Sequence, residues 1–254
     1  MTASDRRSTE DGKPVALVTG GGTGLGLAIS RQLVGLGYRL AISYSKSEGE
    51  ASAAAKSLRE TGTEVSLHRV DIRSGSQVDA LIAAVYETHG RLDMVVNNAG
   101  MTRIIPFADL EAADEAVWDE IMDINLKGTY LVCRAAALRM GEAGGSILNV
   151  ASTSGVTPSG SSIPYGISKA GIIHLTKALA VGLAPRVRVN AIAPSTMMTR
   201  WWEGNEETVD QFARTNRFGR LIEVDDVARA AIMLATNESI SGQTLVVDLA
   251  NFFL

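Results

Sequence analysis

Tyr165 and Lys169 stand four residues apart in Tyr165-Gly-Ile-Ser-Lys169, so on a helix one face carries both a phenol and an ammonium. A cation held beside a phenol favours the phenolate and draws the tyrosine pKa from ~10 toward working pH. That is the property a general acid for a carbonyl oxygen needs. Thirteen residues earlier, Ser152 ends the apolar run Ile147-Leu148-Asn149-Val150-Ala151, which reads as a buried strand delivering a hydroxyl to the same place. A Tyr-x3-Lys pair alone recurs by chance. A strand ending in Ser, inside a dinucleotide-binding fold, gives it meaning.

The evidence for such a fold begins at Thr19-Gly20-Gly21-Gly22-Thr23-Gly24-Leu25-Gly26, which follows a short apolar run directly and opens a helical pattern. Glycines let a backbone turn sharply and approach a phosphate, whose charge then sits at a helix N-terminus. The spacing is Gly-x3-Gly-x-Gly rather than the commoner Gly-x-Gly-x2-Gly, and a tight turn with no ligand would read the same locally. Dinucleotide sites that take NAD place an acid about 20 residues on, at the end of the second strand. Here Ser43-Tyr44-Ser45-Lys46-Ser47 holds no acid before Glu48. Tyr44, Ser45 and Lys46 suit a 2′-phosphate, which favours NADP(H) and leaves NAD(H) open. The other reading of Lys46 is the start of a solvated helix.

These residues need elements to hold them. β-Branched runs at Val15–Thr19, Arg39–Tyr44, Glu64–Val70, Met94–Asn97, Ser146–Val150, Val187–Ile192 and Thr244–Val247 alternate with helical patterns. Leu25, Ile29, Leu33 and Leu36 fall at helical spacing, as do Val78, Leu81, Ile82 and Val85; longer helices are expected over Glu115–Met140 and Ile163–Leu183. Strands that are apolar throughout, alternating with helices, predict an α/β doubly wound parallel sheet, the Rossmann arrangement, in one domain spanning 14–254. Residues 1–13 carry six charges and no apolar run, which excludes a secretory signal and predicts a mobile tail.

Composition narrows the partners. A net charge of −4 argues against nucleic acid, which needs clustered Lys and Arg. No window approaches the ~18 apolar residues of a membrane span. Cys133 is the single cysteine, so no intrachain disulfide forms, which fits a cytoplasmic protein. His68, His89 and His174 show no metal-ligand spacing and no metal is expected. The absence of a Gly-x-Ser-x-Gly elbow removes an α/β-hydrolase reading.

Thr19–Gly26, Asp71-Ile72, Asn97-Asn98-Ala99-Gly100, Asn125, Ser152, Tyr165-x3-Lys169, Asn190 and Pro194 occur in an order that resembles the short-chain dehydrogenases/reductases. The likeness runs from Pro14 to Asp248 and is closest to the group of 3-oxoacyl carrier-protein reductases and glucose dehydrogenases. It implies a nicotinamide-dependent oxidoreductase in which Tyr165 gives or takes the proton on substrate oxygen and Ser152 orients that oxygen. Lys169 would hold the nicotinamide ribose and depress the Tyr165 pKa, and Asn125 would anchor a proton-relaying water. Gly20, Gly22, Thr23, Gly24, Leu25 and Gly26 would take the phosphates, Asp71 and Ile72 the adenine, and Asn98, Ala99 and Gly100 a ribose. Pro194, Met197 and Thr199 would lie on the nicotinamide side, Thr199 on its carboxamide.

Two departures stand out. The family's Pro-Gly is Pro194-Ser195, and its Asp-Gly-Gly near the C-terminus is Asp248-Leu249-Ala250, followed by Asn251-Phe252-Phe253-Leu254. Met197, Met198, Trp201 and Trp202 fall where such folds carry a lid, and with Met101 they suggest a small-molecule substrate with an apolar body, a 3-oxoacyl thioester or other ketone. A sugar or polyol dehydrogenase, and a silent dinucleotide-binding regulator, remain alternatives. Leu126, Tyr130, Leu131, Ala135 and Leu138 spread around one long helix, and Ile172, Ile173, Leu175, Leu179 and Val181 around the other. Helices apolar on more than one side want a second partner, and a homotetramer is expected, with 251–254 closing one interface.

Overall fold

The computed structural model describes residues 12–199 and 206–250. The expected tail before Gly12, Trp201, Trp202 and the Phe252-Phe253-Leu254 end lie outside the described residues.

Seven parallel strands form one sheet in the order β3-β2-β1-β4-β5-β6-β7. They are β1 (Val15–Thr19), β2 (Arg39–Tyr44), β3 (Val65–Arg69), β4 (Met94–Asn97), β5 (Gly145–Val150), β6 (Val187–Pro194) and β7 (Thr244–Val247). Four match the expected bounds residue for residue. β3 is shorter by one residue at each end, and β6 runs on to Pro194. All residues of β1 and β4 are buried, as continuous apolar runs covered on both faces should be.

Helices α1 (Gly24–Gly35), α2 (Glu48–Arg59) and α8 (Val224–Thr236) cover one face, where Ile29, Leu33, Leu58, Val227 and Ala231 share a core with β1 and β2. On the other face α3 (Gly75–His89), α5 (Thr129–Met140) and α6 (Ile163–Gly182) pack Val78, Val85, Val132 and Ala180 onto β4, β5 and β6. Local chemistry fixes the helix starts. Ser74, Asp114 and Ser162 cap α3, α4 (Glu115–Met122) and α6 by accepting backbone N–H groups. A further helix, α7 (Glu206–Thr215), precedes α8. The periodicity reading had no α2, α7 or α8.

The helix expected over Glu115–Met140 is broken in its middle. Residues Asp123–Gly128 form a π-turn between α4 and α5. Thr129 Oγ1 donates to the Asn125 carbonyl at 2.6 Å there, and the chain lies so close to β3's exit that a Cβ on Gly128 would sit 2.8 Å from Ile72. A widened turn of this kind commonly marks a functional position. The departure at Asp248-Leu249-Ala250 also has a structural face: Leu249 and Ala250 both adopt the left-handed backbone that glycine favours, at φ 52° and 56°. Leu249 nonetheless packs its side chain on the core, which glycine cannot do.

Candidate active site

The strand order reverses between β1 and β4, and at such a switch point the loops leaving the two strands part and open a crevice. A cavity of about 210 Å³ lies there, walled by the glycine loop after β1, the Asn98–Gly100 turn after β4, the Ser152 turn after β5, the face of α6 and the segment after β6.

The glycine loop is shaped by contacts that only glycine permits. Gly20 and Gly24 take left-handed φ values of 63° and 49°. A Cβ on Gly26 would lie 2.5 Å from Asn98 Nδ2 and closer still to the Gly20 carbonyl oxygen. That Asn98 amide donates to the carbonyls of Thr19 and Gly20 at 3.0 and 3.1 Å, while Thr19 Oγ1 accepts from the N–H groups of Asn98 and Ala99 at 3.0 Å each. The two turns are thus one unit. Thr23 precedes α1 without any side-chain cap, no acid occupies the first turn, and Thr23, Gly24 and Leu25 line the cavity. An uncapped helix start facing a crevice offers its free N–H groups to an anion, so these residues fit a phosphate-bearing ligand.

The proton-handling groups come next along the cavity. Ser152 lies two residues beyond β5, extended, and its Oγ accepts from Ser154 N at 3.2 Å, capping the short 3₁₀ turn Thr153–Gly155. Gly155 lets that turn press on α6, since a Cβ there would meet the Lys169 backbone at 2.5 Å. This contact sets Ser152 opposite Tyr165, and the two hydroxyls are hydrogen-bonded. Lys169 Nζ donates to the Val150 carbonyl at 2.8 Å and lies 5.6 Å from the Tyr165 ring centre.

Burial dominates the electrostatics. It pushes the Tyr165 phenol up to about 12, with the Ser152 hydrogen bond working the other way, and lowers the Lys169 ammonium to about 8. The expectation that Lys169 depresses the tyrosine pKa therefore needs correcting for the protein on its own. Both groups are nearly fully buried, and removal from water disfavours the charged form of each.

Asn125 is fully buried in the π-turn, and its amide joins three segments. Its Oδ1 accepts from Met101 N at 2.8 Å, and its Nδ2 donates to Met101 O and Ser168 Oγ, each at 3.0 Å. Ser168 Oγ in turn donates to the Tyr165 carbonyl at 2.7 Å.

Gly20, Thr23, Gly24, Leu25, Asn98, Ala99, Gly100, Ser152, Tyr165, Lys169, Pro194, Met197 and Thr199 all line the cavity. Gly22 and Gly26 sit behind the loop, Gly22 so tightly against Ala51 that a Cβ would be 2.6 Å from its Cα. Tyr44, Ser45, Lys46, Asp71 and Ile72 lie at the ends of β2 and β3, outside the cavity wall. Lys46 occupies the exposed bend before α2, which starts two residues later, so it is not part of a helix. Asp71 is held by Arg73, whose Nε reaches both carboxylate oxygens at 2.9 and 3.0 Å, and this keeps its carboxyl below the usual range. Sequence reasoning missed Arg73, Ser168, Phe212 and the cavity-lining hydroxyls of Thr102, Ser154, Ser159 and Ser161. Only Ser154 carried a local signal, two residues after Ser152. Among the described residues, Ile104, Met197 and Phe212 supply apolar wall, whereas Met101 does not line the cavity and Met198 is 55% exposed. No helix among the described residues is long and apolar enough to cross a membrane, and no cluster of metal-ligating residues occurs among them.

Residues 20–249 match the family model described as enoyl-(acyl carrier protein) reductase. A protein named as a ketoacyl reductase of the granaticin polyketide synthase of Streptomyces violaceoruber is 39% identical over 244 residues, covering 92% of this chain and 94% of that protein. The D-threitol dehydrogenase of Mycolicibacterium smegmatis is 36% identical, covering 94% and 92%. Among solved structures, a variant of actinorhodin polyketide ketoreductase with NADPH superposes with a TM-score of 0.88 at 30% identity, covering 96% of this chain and all of that one.

Proposed function

The chain belongs to the short-chain dehydrogenase/reductase family, and from that premise we propose that it carries hydride between a nicotinamide dinucleotide and a ketone or secondary alcohol at Ser152, Tyr165 and Lys169. One observation carries this reading: a single cavity joins the uncapped, glycine-rich start of α1 to those three side chains. The dinucleotide, when bound, supplies or accepts the hydride.

The chain's own residues do the rest. With its phenol pushed up to about 12, Tyr165 is protonated at neutral pH and meets a carbonyl as an acid. Ser152 shares a hydrogen bond with it, so an oxygen placed between the two accepts from both. Lys169, at about 8, is mostly charged at neutral pH, and its ammonium offsets the negative charge left when Tyr165 gives up its proton. Asn125 holds the Met101 segment and, through Ser168, the Tyr165 backbone, which keeps the wall and the acid in register. In the alcohol-oxidising direction Tyr165 takes the proton back.

We extend the proposal to NADP(H). Lys46 and Arg73 both act electrostatically on Asp71, so the adenosine end presents two cations around one carboxylate. That balance suits a 2′-phosphate better than two free hydroxyls, and the actinorhodin relative was solved with NADPH. A homotetramer is proposed from Tyr130, Leu138, Ile167 and Val181, apolar side chains exposed on α5 and α6. With Cys133 its single cysteine, the chain forms no intrachain disulfide, which suits a reducing cytoplasm.

The test is Tyr165→Phe with both cofactors. General acid–base assistance is worth roughly 10²–10⁴-fold, so kcat should fall by that factor while cofactor Kd holds steady. A variant retaining more than half the wild-type rate would remove Tyr165 from the chemistry.

A further inference from the structure

Four hydroxyls in the cavity have no part in the proton chemistry. Ser154 Oγ accepts from Ser152 Oγ at 3.2 Å, so it stands beside the site of reaction. The loop carrying Ser159 and Ser161 runs across it: a Cβ on Gly160 would overlap Ser154 Oγ and lie 4.0 Å from Tyr165 Cδ1. That loop is fastened to the opposite lip. Ile105 N donates to Ser161 O at 2.7 Å, and the hydroxyls of Thr102 and Ser161 are hydrogen-bonded to each other. The lip is itself fixed, because Asn125 grips both backbone groups of Met101. Thr102, Ser154, Ser159 and Ser161 thus line one cavity on a braced frame, together with the apolar Ile104, Met197 and Phe212.

The charge is equally informative. Among the described residues of the cavity wall, Lys169 alone is charged, and its ammonium is engaged by the Val150 carbonyl. Among the described residues lining the cavity, a carboxylate or phosphate on the substrate would find no cation at the hydroxyl end. Ser159 Oγ is paired with Thr157 Oγ1 at 2.9 Å, so each of the four hydroxyls has a partner. An all-carbon chain would nonetheless shut water from their remaining lone pairs without answering them, which disfavours the complex. The Thr102–Ser161 pair uses one hydrogen between its two oxygens, and Thr102 Oγ1 can turn its own to the Arg103 carbonyl at 3.3 Å. The pair therefore offers lone pairs and a hydrogen that a substrate oxygen would win from a long contact.

We propose that Thr102 and Ser161, with Ser154 and Ser159 beside them, determine specificity by holding a second, uncharged oxygen of the substrate, a hydroxyl or carbonyl a few bonds from the reacting carbon. The substrate class is therefore a neutral, multiply oxygenated ketone or its alcohol. This rests on the ketone-reducing reading of the same site.

The experiment compares matched ketones in which one methyl becomes a hydroxyl: 4-hydroxy-2-butanone against 2-pentanone, and hydroxyacetone against 2-butanone. kcat/KM is measured for the wild type, Thr102→Val, Ser161→Ala and Ser161→Thr, and binding of each ketone to the protein–NADP⁺ complex by calorimetry. One good hydrogen bond is worth roughly tenfold, so wild type should favour at least one hydroxy ketone by that factor. The preference should fall toward one in Thr102→Val and Ser161→Ala and return in Ser161→Thr, a ratio that general damage to the fold would leave unmoved. Equal turnover and equal affinity within both pairs would overturn the proposal, as would an unchanged ratio in the two hydroxyl-deleting variants. If no ketone is reduced yet the hydroxy compounds bind about tenfold more tightly, the hydroxyl frame stands and the reductase reading falls.

Discussion

Replacing Gly26 with alanine tests whether the glycine loop and the Asn98 turn form one unit. The added methyl has nowhere to go: it would lie 2.5 Å from Asn98 Nδ2 and closer to the Gly20 carbonyl, and the latter is backbone. Forcing a methyl into packed structure costs about 1–3 kcal/mol. Displacing the Asn98 amide loses its bonds to Thr19 O and Gly20 O, about 1 kcal/mol each. Alanine restricts the unfolded chain, which returns about 0.4–1 kcal/mol. The expected net destabilisation is about 3 kcal/mol, most of it local to the phosphate loop. Equilibrium urea unfolding measures it, with Gly49→Ala as control: Gly49 is an exposed residue of α2 with nothing near its would-be Cβ, so alanine there should be neutral or stabilising by about 0.5 kcal/mol. In an Asn98→Ala background part of the clash is gone, and the same substitution should cost about 1 kcal/mol less. A Gly26→Ala protein within about 0.5 kcal/mol of wild type, with unchanged cofactor affinity, would refute the reasoning.

Ketone reduction should hold level through neutral pH and decline as pH rises past about 8, where Lys169 loses its charge, while Tyr165 stays protonated to about 12; Lys169→Arg should abolish that inflection in a kcat/KM profile. His89, with no side-chain surface exposed and its Nε2 2.8 Å from Ser66 Oγ, has a pKa lowered by burial from 6.5. The unfolded chain then binds the proton more readily, so stability should fall as pH drops through 6.5 and level off below the folded pKa; urea midpoints that do not fall with acid, or fall equally in His89→Gln, would contradict this. Light scattering at micromolar concentration should give a multiple of 26.9 kDa, and a Leu138→Glu, Val181→Glu double variant should lower it; a wild-type monomer would end the oligomer proposal.

The sheet was legible because each strand is buried on both faces, so hydrophobicity alone spells out Val15–Thr19 or Met94–Asn97. The α2 helix was not, because its buried side is mostly alanine: Ala51, Ala54 and Ala55 give a weak apolar rhythm that small residues satisfy by close approach. The π-turn was invisible for a different reason, since the close neighbour that Gly128 makes room for is Ile72, far away in sequence. The glycine loop and the Tyr165–Lys169 pair were readable because their geometry is local. Thr102 and Ser161 were unreadable because their meeting depends on Asn125 fixing one lip and on Ile105 N bonding the other. The net direction of the Tyr165 pKa was not legible, because burial, which spacing does not report, pushes the phenol up.

The π-turn at Asp123–Gly128 has a consequence for how this chain can vary. A π-turn is an α-helix with one residue too many, and each residue of an α-helix advances it by about 100°. Deleting Asp123 or Ile124 would let α4 run into α5 as a regular helix, a gain in ordinary backbone terms. It would also swing Asn125 about a quarter-turn away from Met101 and Ser168, and unfasten the segment that carries Thr102. Length here is therefore fixed while surface loops remain free to grow or shrink. Among sequences with this fold, gaps should gather elsewhere, and a descendant that lost its chemistry would be free to straighten this helix.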